Sequence, residues 1–282
     1  MQLSRKLGNS RVLTNLYLTY LKNLCVNPSK RSLAYSKRSE NRFWWHRLPG
    51  ASYVPPLYSS LTKWEWSIIE SWYKDTNNKK LIGESTVPIM SVMQGFIMGN
   101  CISNVVQLGH YSGYSTLLIG FMLRKMGKKN SFFTVDIDPF VSKYTQKWVD
   151  RAGLNDYINI QIGDSSEKII VDHAKRYFNG PINMVFIDSS HQYAHTLREL
   201  SLWYENLEKG GIIFMHDTSV LATQYDSTHC GGVKKAIEEW KMQNASVELI
   251  NICGELPLGK EQAGLIYKDG CGLGIIQKKL YA

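Results

Sequence analysis

Five apolar runs between residues 104 and 218 each end in side chains that can do chemistry. After the first comes Gly109-His-Tyr-Ser-Gly113. After the second comes Asp136-Ile-Asp138-Pro139, and after the third Gly163-Asp164-Ser165. The fourth ends in Asp188-Ser-Ser-His191-Gln-Tyr193 and the fifth in His216-Asp217-Thr218. Gly109 and Gly113 allow a sharp turn and a close backbone approach to a ligand. Asp136 can accept hydrogen bonds from both hydroxyls of a ribose, while Asp138 suits a helix N-cap before Pro139. Asp164 can receive an adenine amino group or cap the segment at Ser165. Asp188, His216 and Asp217 are a donor set for a divalent cation with open positions for substrate. His191, three residues past Asp188, is a candidate general base because an imidazole titrates near neutrality. His110, His173, His195 and His229 lack matching partners and read as structural or surface residues, with His110 also a candidate to line a ligand site.

These groups meet only if the apolar runs are neighbouring strands. The pattern predicts strands at 104–108, 131–137, 157–162, 182–187, 211–215, 246–252 and 272–278. Helices are predicted between them at 114–126, 139–153, 165–178, 192–208 and 231–243. Alternating β and α units build an α/β domain with a largely parallel sheet and helices on both faces, and ligands in such sheets bind beyond the carboxyl ends of the strands. The last two strands lack a helix between them, which predicts an antiparallel pair. Upstream, 61–75 and 87–100 carry apolar residues at helical spacing, and Asn77-Asn78-Lys79-Lys80 reads as a loop. The aromatic and proline-bearing stretch 40–60, with Trp44 and Trp45, reads as loop or extended structure that packs on the core or closes over a substrate.

The net charge of +9 is concentrated at the start of the chain. Residues 1–39 hold eight Lys and Arg and no acid, so the remainder is close to neutral. This arm, with a helical pattern from Val12 to Leu24, has three readings: a solvated, partly disordered extension, a surface helix for an anionic membrane or partner, or an organelle transit peptide. A secretory signal does not fit, because no clean apolar segment precedes a small-residue cleavage site. A neutral body gives no general affinity for nucleic acid. Five scattered cysteines without CxxC spacing point to a reducing, cytoplasmic setting rather than a disulfide framework or structural zinc. No apolar run is long enough to span a membrane.

With those motifs in place, the chain from about 100 to 278 resembles the class I S-adenosylmethionine-dependent methyltransferases. It is similar to O-methyltransferases of the catechol and macrocin type and to the cephalosporin-hydroxylase-like group. The resemblance is carried by Val105-Val-Gln-Leu-Gly-His-Tyr-Ser-Gly-Tyr-Ser-Thr116, Val135-Asp-Ile-Asp-Pro139, Gly163-Asp-Ser165, Phe186-Ile-Asp-Ser-Ser-His-Gln-Tyr193, Gly210-Gly-Ile-Ile-Phe-Met-His-Asp-Thr218 and Gly272-Leu-Gly-Ile-Ile276. It implies a Rossmann-like seven-stranded sheet of order 3-2-1-4-5-7-6 with an N-terminal helical extension. Residues 1–95 would be the basic arm and the substrate-side extension, and 96–282 the cofactor-binding domain. Gln107, Gly109, Tyr111, Gly113 and Ser115 would meet the methionine end of S-adenosyl-L-methionine, Asp136 the ribose, and Asp164 and Ser165 the adenine region. Asp188, His216 and Asp217 would hold Mg²⁺ or Mn²⁺, with His191 as the base. Two positions depart from the pattern. Gln107 stands where the family carries an acid, and His216 stands where metal-dependent members carry an acid; imidazole suits Mn, Fe or Zn better than Mg.

The expected activity is methyl transfer to a hydroxyl of a small molecule such as a sugar, a phenol or a natural product. The alternative is a non-catalytic or metal-independent cofactor-binding protein of the same fold, recruited by its basic arm. A dehydrogenase is disfavoured because the first loop lacks GxGxxG, and a nucleic-acid amino methyltransferase because no Asn/Asp-Pro-Pro-Tyr/Phe motif is present. Residues 40–100, 219–230 and 254–270 are expected to line the acceptor pocket. Assembly into a homo-oligomer is left open.

Overall fold

A computed structural model describes residues 55–255 and 266–280. The arm, Trp44 and Trp45 lie outside the described residues. The chain divides into two compact units at Lys80–Leu81. In the first, a short helix α1 (Pro56–Ser59) precedes α2 (Lys63–Lys79). Thr62 and Glu65 start α2 with a reciprocal capping box: Glu65 N–H donates to Thr62 Oγ1 at 3.2 Å, and Thr62 N–H donates to Glu65 Oε2 at 2.8 Å. The helix runs on through Asn77, Asn78 and Lys79, which the sequence marks as a loop, and ends at Lys80 with a left-handed φ of 57°. Asparagine is a weak helix former, but a capped helix already under way adds residues cheaply.

The second unit opens with α3 (Val87–Gly99), so the expected boundary at 95/96 falls inside this helix. Then come β1 (Val105–Leu108), α4 (Tyr114–Lys125), β2 (Phe132–Asp136), α5 (Pro139–Ala152), β3 (Ile158–Ile162), α6 (Lys168–Phe178), β4 (Ile182–Ile187), α7 (Tyr193–Asn206) and β5 (Leu207–His216). A 3₁₀ turn (Leu221–Tyr225), α8 (Gly232–Gln243), β6 (Leu249–Ile252) and β7 (Leu273–Gln277) complete it. The sheet has the order β3-β2-β1-β4-β5-β7-β6, parallel except for β7, which runs antiparallel to both neighbours. This is the expected architecture. Strand β5 begins at Leu207 rather than 211, with a register irregularity against β4 between Ile182 and Met184. Helix α6 begins at Lys168 rather than 165, because Asp164 and Ser166 close a tight turn first.

The central strands are buried on both faces, as expected of a parallel sheet. Val106, Leu108, Phe133, Val135, Val185, Ile187, Ile213 and Met215 pack with α6, α7 and α8 through Val171, Trp203, Ile237 and Trp240. On the opposite face α3 supplies Phe96, whose ring meets Phe214 edge-on with centroids 5.1 Å apart. Strand alternation decides what each β1 residue meets. Leu108 faces the α6–α7 layer, so Gln107 points the other way, toward the first turn of α4.

Asp226 holds the entry to α8. Its carboxylate is fully buried and accepts hydrogen bonds from the N–H of Thr228, Cys230 and Gly232 and from Thr228 Oγ1. Burial alone would raise its pKa, but these bonds to the charged form prevail and hold it at about 2, below the ordinary 3.8. The stability this supplies is complete above pH 3.8 and is lost as pH falls toward 2. Asp226→Ala should lower the unfolding free energy by about 2–3 kcal/mol at neutral pH. Denaturant titrations of variant and native chain should converge as the pH is lowered through that window.

Candidate active site

Register brings the strand ends together. Leu108 pairs with Val135 and Ile187, and Ile187 pairs with Met215. The next residues, Gly109, Asp136, Asp188 and His216, therefore stand along one edge of the sheet. The first three border a cavity of about 580 Å³; His216 is not among its lining residues. Of the residues expected at a cofactor, Gly109, Tyr111, Gly113, Ser115, Asp136, Asp164 and Ser165 line it, and so do Asp188 and His191.

The first loop is built by close approach. Gly109 has φ +83°, and a Cβ there would stand 2.1 Å from the Asp188 carbonyl oxygen, so no side chain fits. Gly113 has φ +90° and caps α4, where a Cβ would stand 2.8 Å from Thr145 Cγ2. Tyr111, with φ 41°, donates its N–H to Asp136 Oδ2 at 2.9 Å, and its carbonyl accepts from Thr145 Oγ1 at 2.7 Å. Asp138 N–H donates to Asp136 Oδ1 at 3.0 Å. Each Asp136 oxygen thus has a backbone donor and keeps lone-pair capacity toward the cavity, which suits a diol. Asp138 caps α5 through Phe140 N–H, as its position suggests.

Gln107 is fully buried and does not line the cavity. Its Nε2 donates to Ser115 Oγ at 2.6 Å and to the Gly109 carbonyl at 3.0 Å, and its Oε1 accepts from Thr116 Oγ1 at 2.9 Å. It ties the glycine loop to α4 from behind, as its place on the α4 face of β1 dictates. A neutral amide can both donate and accept there; a carboxylate could not donate.

The adenine-side expectation gains residues that were read as structural. His195 lines the cavity, with Nε2 bonded to Asp164 Oδ1 at 3.0 Å and Nδ1 3.4 Å from Glu199 Oε2. Burial opposes its charge, but Glu199 and Asp164 raise its pKa overall. Glu199, fully buried, also accepts from Ser165 Oγ and, at 2.7 Å, from Ser189 Oγ. The signal for this network was in the sequence: His195 and Glu199 stand four residues apart, on one face of a helix.

Around Asp188 and His191, which line the cavity, two imidazoles meet three carboxylates; His216, Asp217 and Asp269 are not among its lining residues. His191 Nε2 lies 3.1 Å from Asp217 Oδ2 and 3.8 Å from Asp188 Oδ1. His216 Nδ1 lies 3.3 Å from both Asp188 Oδ1 and Asp217 Oδ2, and its Nε2 lies 3.0 Å from Asp269 Oδ2. Ser85 Oγ donates to Asp188 Oδ2 at 2.7 Å. His191 and Asp217 both sit in the left-handed region, with φ 59° and 60°. Such conformations persist where surrounding structure enforces them. Burial alone would neutralise these groups, but their mutual charges prevail. His191 is pushed up to about 10 by its bonds to Asp188 and Asp217, and His216 is raised by Asp217, Asp269 and Asp188. Asp188 is held at about 2 and Asp217 is lowered. Donor atoms of Asp188, His191 and Asp217 lie within 4.8 Å of one another, as do those of His216, Asp217 and Cys271. The oxygen and imidazole donors fit a divalent cation with room for substrate oxygens. Ser85 and Asp269 fall in the stretches 40–100 and 254–270 expected at the acceptor, but no motif singled them out, since neither lies at the end of a parallel strand.

Residues 106–218 match the family described as a methyltransferase domain. Catechol O-methyltransferase of Niastella koreensis is 29% identical over 117 residues, covering 42% of this chain and 49% of that protein. The Mus musculus catechol O-methyltransferase is 36% identical over 86 residues, 30% of this chain and 31% of its own length. The chain thus spans half or less of the length of these relatives. Among solved structures, the O-methyltransferase from Bacillus cereus in complex with SAH aligns with a TM-score of 0.57 at 16% identity, covering 76% of this chain and 91% of that one. The O-methyltransferase of tomaymycin synthesis from Streptomyces achromogenes, in complex with SAM, aligns with a TM-score of 0.56 at 12% identity, covering 75% and 89%.

Because the His191 pKa is raised, the stability it supplies is complete below the ordinary 6.5 and is lost as pH rises through about 10. In EDTA-treated protein, thermal unfolding should therefore shift to lower temperature across that window, and His191→Gln should shallow the slope. An identical slope in the variant would contradict the pairing. Residues 106–218 thus match a methyltransferase domain, on a seven-stranded sheet that shares the fold of the solved O-methyltransferases.

Proposed function

We propose that this protein transfers the methyl group of S-adenosyl-L-methionine to a hydroxyl oxygen of a small molecule, with a divalent cation, Mg²⁺ or Mn²⁺, and His191 taking part. The observation that carries this reading is that a glycine loop, Asp136, Asp188 and His191 together line one cavity. A cofactor and an acceptor can meet there. Gly109 to Ser115 would hold the amino-acid end of the cofactor, Asp136 the ribose, and Asp164 with Ser165 the adenine side.

The sulfonium methyl is already electrophilic, so the protein's task is to align an oxygen with it and to remove the hydroxyl proton. Alignment of a bound pair supplies about 7–11 kcal/mol in favourable cases. A cation held by Asp188, Asp217 and His216 would lower the hydroxyl pKa. Neutralising those carboxylates also removes the charge that keeps His191 protonated, and its Nε2 can then accept the proton. Tyr225 is half exposed, with its ring centroid 6.0 Å from that of His191, and offers an apolar wall for the acceptor. Gly83, Glu84 and Ser85, within the stretch expected to face the acceptor, line the cavity; residues 40–54 and 256–265 lie outside the described ones. The catechol O-methyltransferases among its relatives make vicinal diols the first acceptors to try, beside sugars and phenols.

Calorimetric titration with S-adenosylhomocysteine, with EDTA and then with Mg²⁺ or Mn²⁺, tests the reading; no binding under any condition overturns it. His191→Ala should abolish turnover and leave cofactor affinity unchanged. Asp136→Ala should weaken cofactor binding by roughly tenfold or more, the loss of a charge-assisted hydrogen bond. Unaltered affinity in Asp136→Ala would remove that residue from the ribose site.

A further inference from the structure

Asp269 is fully buried and lies outside every motif of the parallel strands. It is brought to the site by the one reversal in the sheet. Because β7 runs antiparallel to β5, its entry lies beside the carboxyl end of β5, and His216 pairs with Leu273. The turn Asp269–Gly272 therefore sits against His216. Asp269 Oδ2 lies 3.0 Å from His216 Nε2 and accepts a hydrogen bond from Thr86 Oγ1, and Oδ1 accepts from Cys271 N–H at 3.0 Å. The carboxylate is fixed by both neighbours and has one ring nitrogen in front of it.

We infer that Asp269 is a positioning residue for a metal ligand: it accepts the Nε2 proton of His216 and so directs the Nδ1 lone pair to a divalent cation at Asp188 and Asp217. This rests on the metal-assisted reading above. The two Nδ1 distances of 3.3 Å, to Asp188 and to Asp217, place that nitrogen between the two carboxylates. A carboxylate behind an imidazole fixes its tautomer and raises its basicity as a ligand. The resulting mixed nitrogen and oxygen donor set favours Mn²⁺, Fe²⁺ or Zn²⁺ over Mg²⁺. Thr86, just ahead of α3, ties the start of that helix to the same carboxylate.

The test uses the full chain stripped with EDTA and titrated with Mn²⁺, read by electron paramagnetic resonance of the free ion. Pulsed measurements then look for a directly bound imidazole nitrogen. The native chain should show that nitrogen, and His216→Asn should lose it. Asp269→Asn can hold Nε2–H only weakly, or can donate to Nε2 and move the ring proton to Nδ1. Either way Mn²⁺ affinity should fall by about 10–100-fold, with a smaller fall for Mg²⁺. Thr86→Val, which leaves His216 and Asp269 in place, should weaken Mn²⁺ binding to a lesser degree. It decides the matter, together with the native nitrogen signal, if Asp269→Asn does not fold. Bound Mn²⁺ without nitrogen coupling in the native chain, Mn²⁺ affinity unchanged in both Asp269→Asn and Thr86→Val, or no Mn²⁺ binding by the native chain would overturn the inference. S-adenosylhomocysteine titration separates the two readings. If the homocysteine binds while the metal results fail, only the inference about Asp269 falls; if it does not bind, the methyl-transfer reading falls.

Discussion

Everything in the site depends on the hydrogen-bond register of four parallel strands. Backbone groups buried in a sheet must be paired, so neighbouring strands cannot slide by one residue without turning every side chain to the wrong face. With Leu108, Val135, Ile187 and Met215 locked side by side, Gly109, Asp136, Asp188 and His216 have no choice but to line one edge. Residues spread over about a hundred positions thereby become neighbours. The apolar packing of α6, α7 and α8 on one face and of α3 and α4 on the other maintains that register.

The second constraint is electrostatic. Burying Asp188, Asp217 and Asp269 near one point would be costly if nothing offset their charge, and the two imidazoles of His191 and His216 do so. The same mutual attraction explains why all four titrating groups with resolved shifts move in the direction that favours their charged forms. A cluster of this kind is preorganised. Its oxygen and nitrogen atoms already converge on one point.

Much of this was legible in the chain. Alternating strand and helix patterns, the glycine pair at 109 and 113, and acids at successive strand ends led to the α/β alternation and to the motif residues of the cavity lining, while the sheet order came from the family resemblance. What escaped reading did so for identifiable reasons. Gln107 was placed at the cofactor by likeness to an acidic position, but strand alternation turns it toward Ser115 and Thr116. His195 was set aside although Glu199 stands one helical turn on; its other partner, Asp164, lies in a loop whose placement beside that helix no local pattern encodes. Asn77 to Lys79 looked like a loop because side-chain preference is local, whereas continuation of α2 follows from the capped turns before it.

The amino-acid sequence by itself determined the α/β class and the polar strand ends that come to line the cavity. Periodicity and residue type are local properties, and these features depend on nothing more. Only the tertiary structure decided which nitrogen of His216 faces which carboxylate, and that Ser85, Glu199 and Asp269 belong beside the cavity. Those facts follow from the antiparallel return of β7 and from helix packing across the sheet. Both bring together residues 34 to 103 positions apart that share no pattern in the chain.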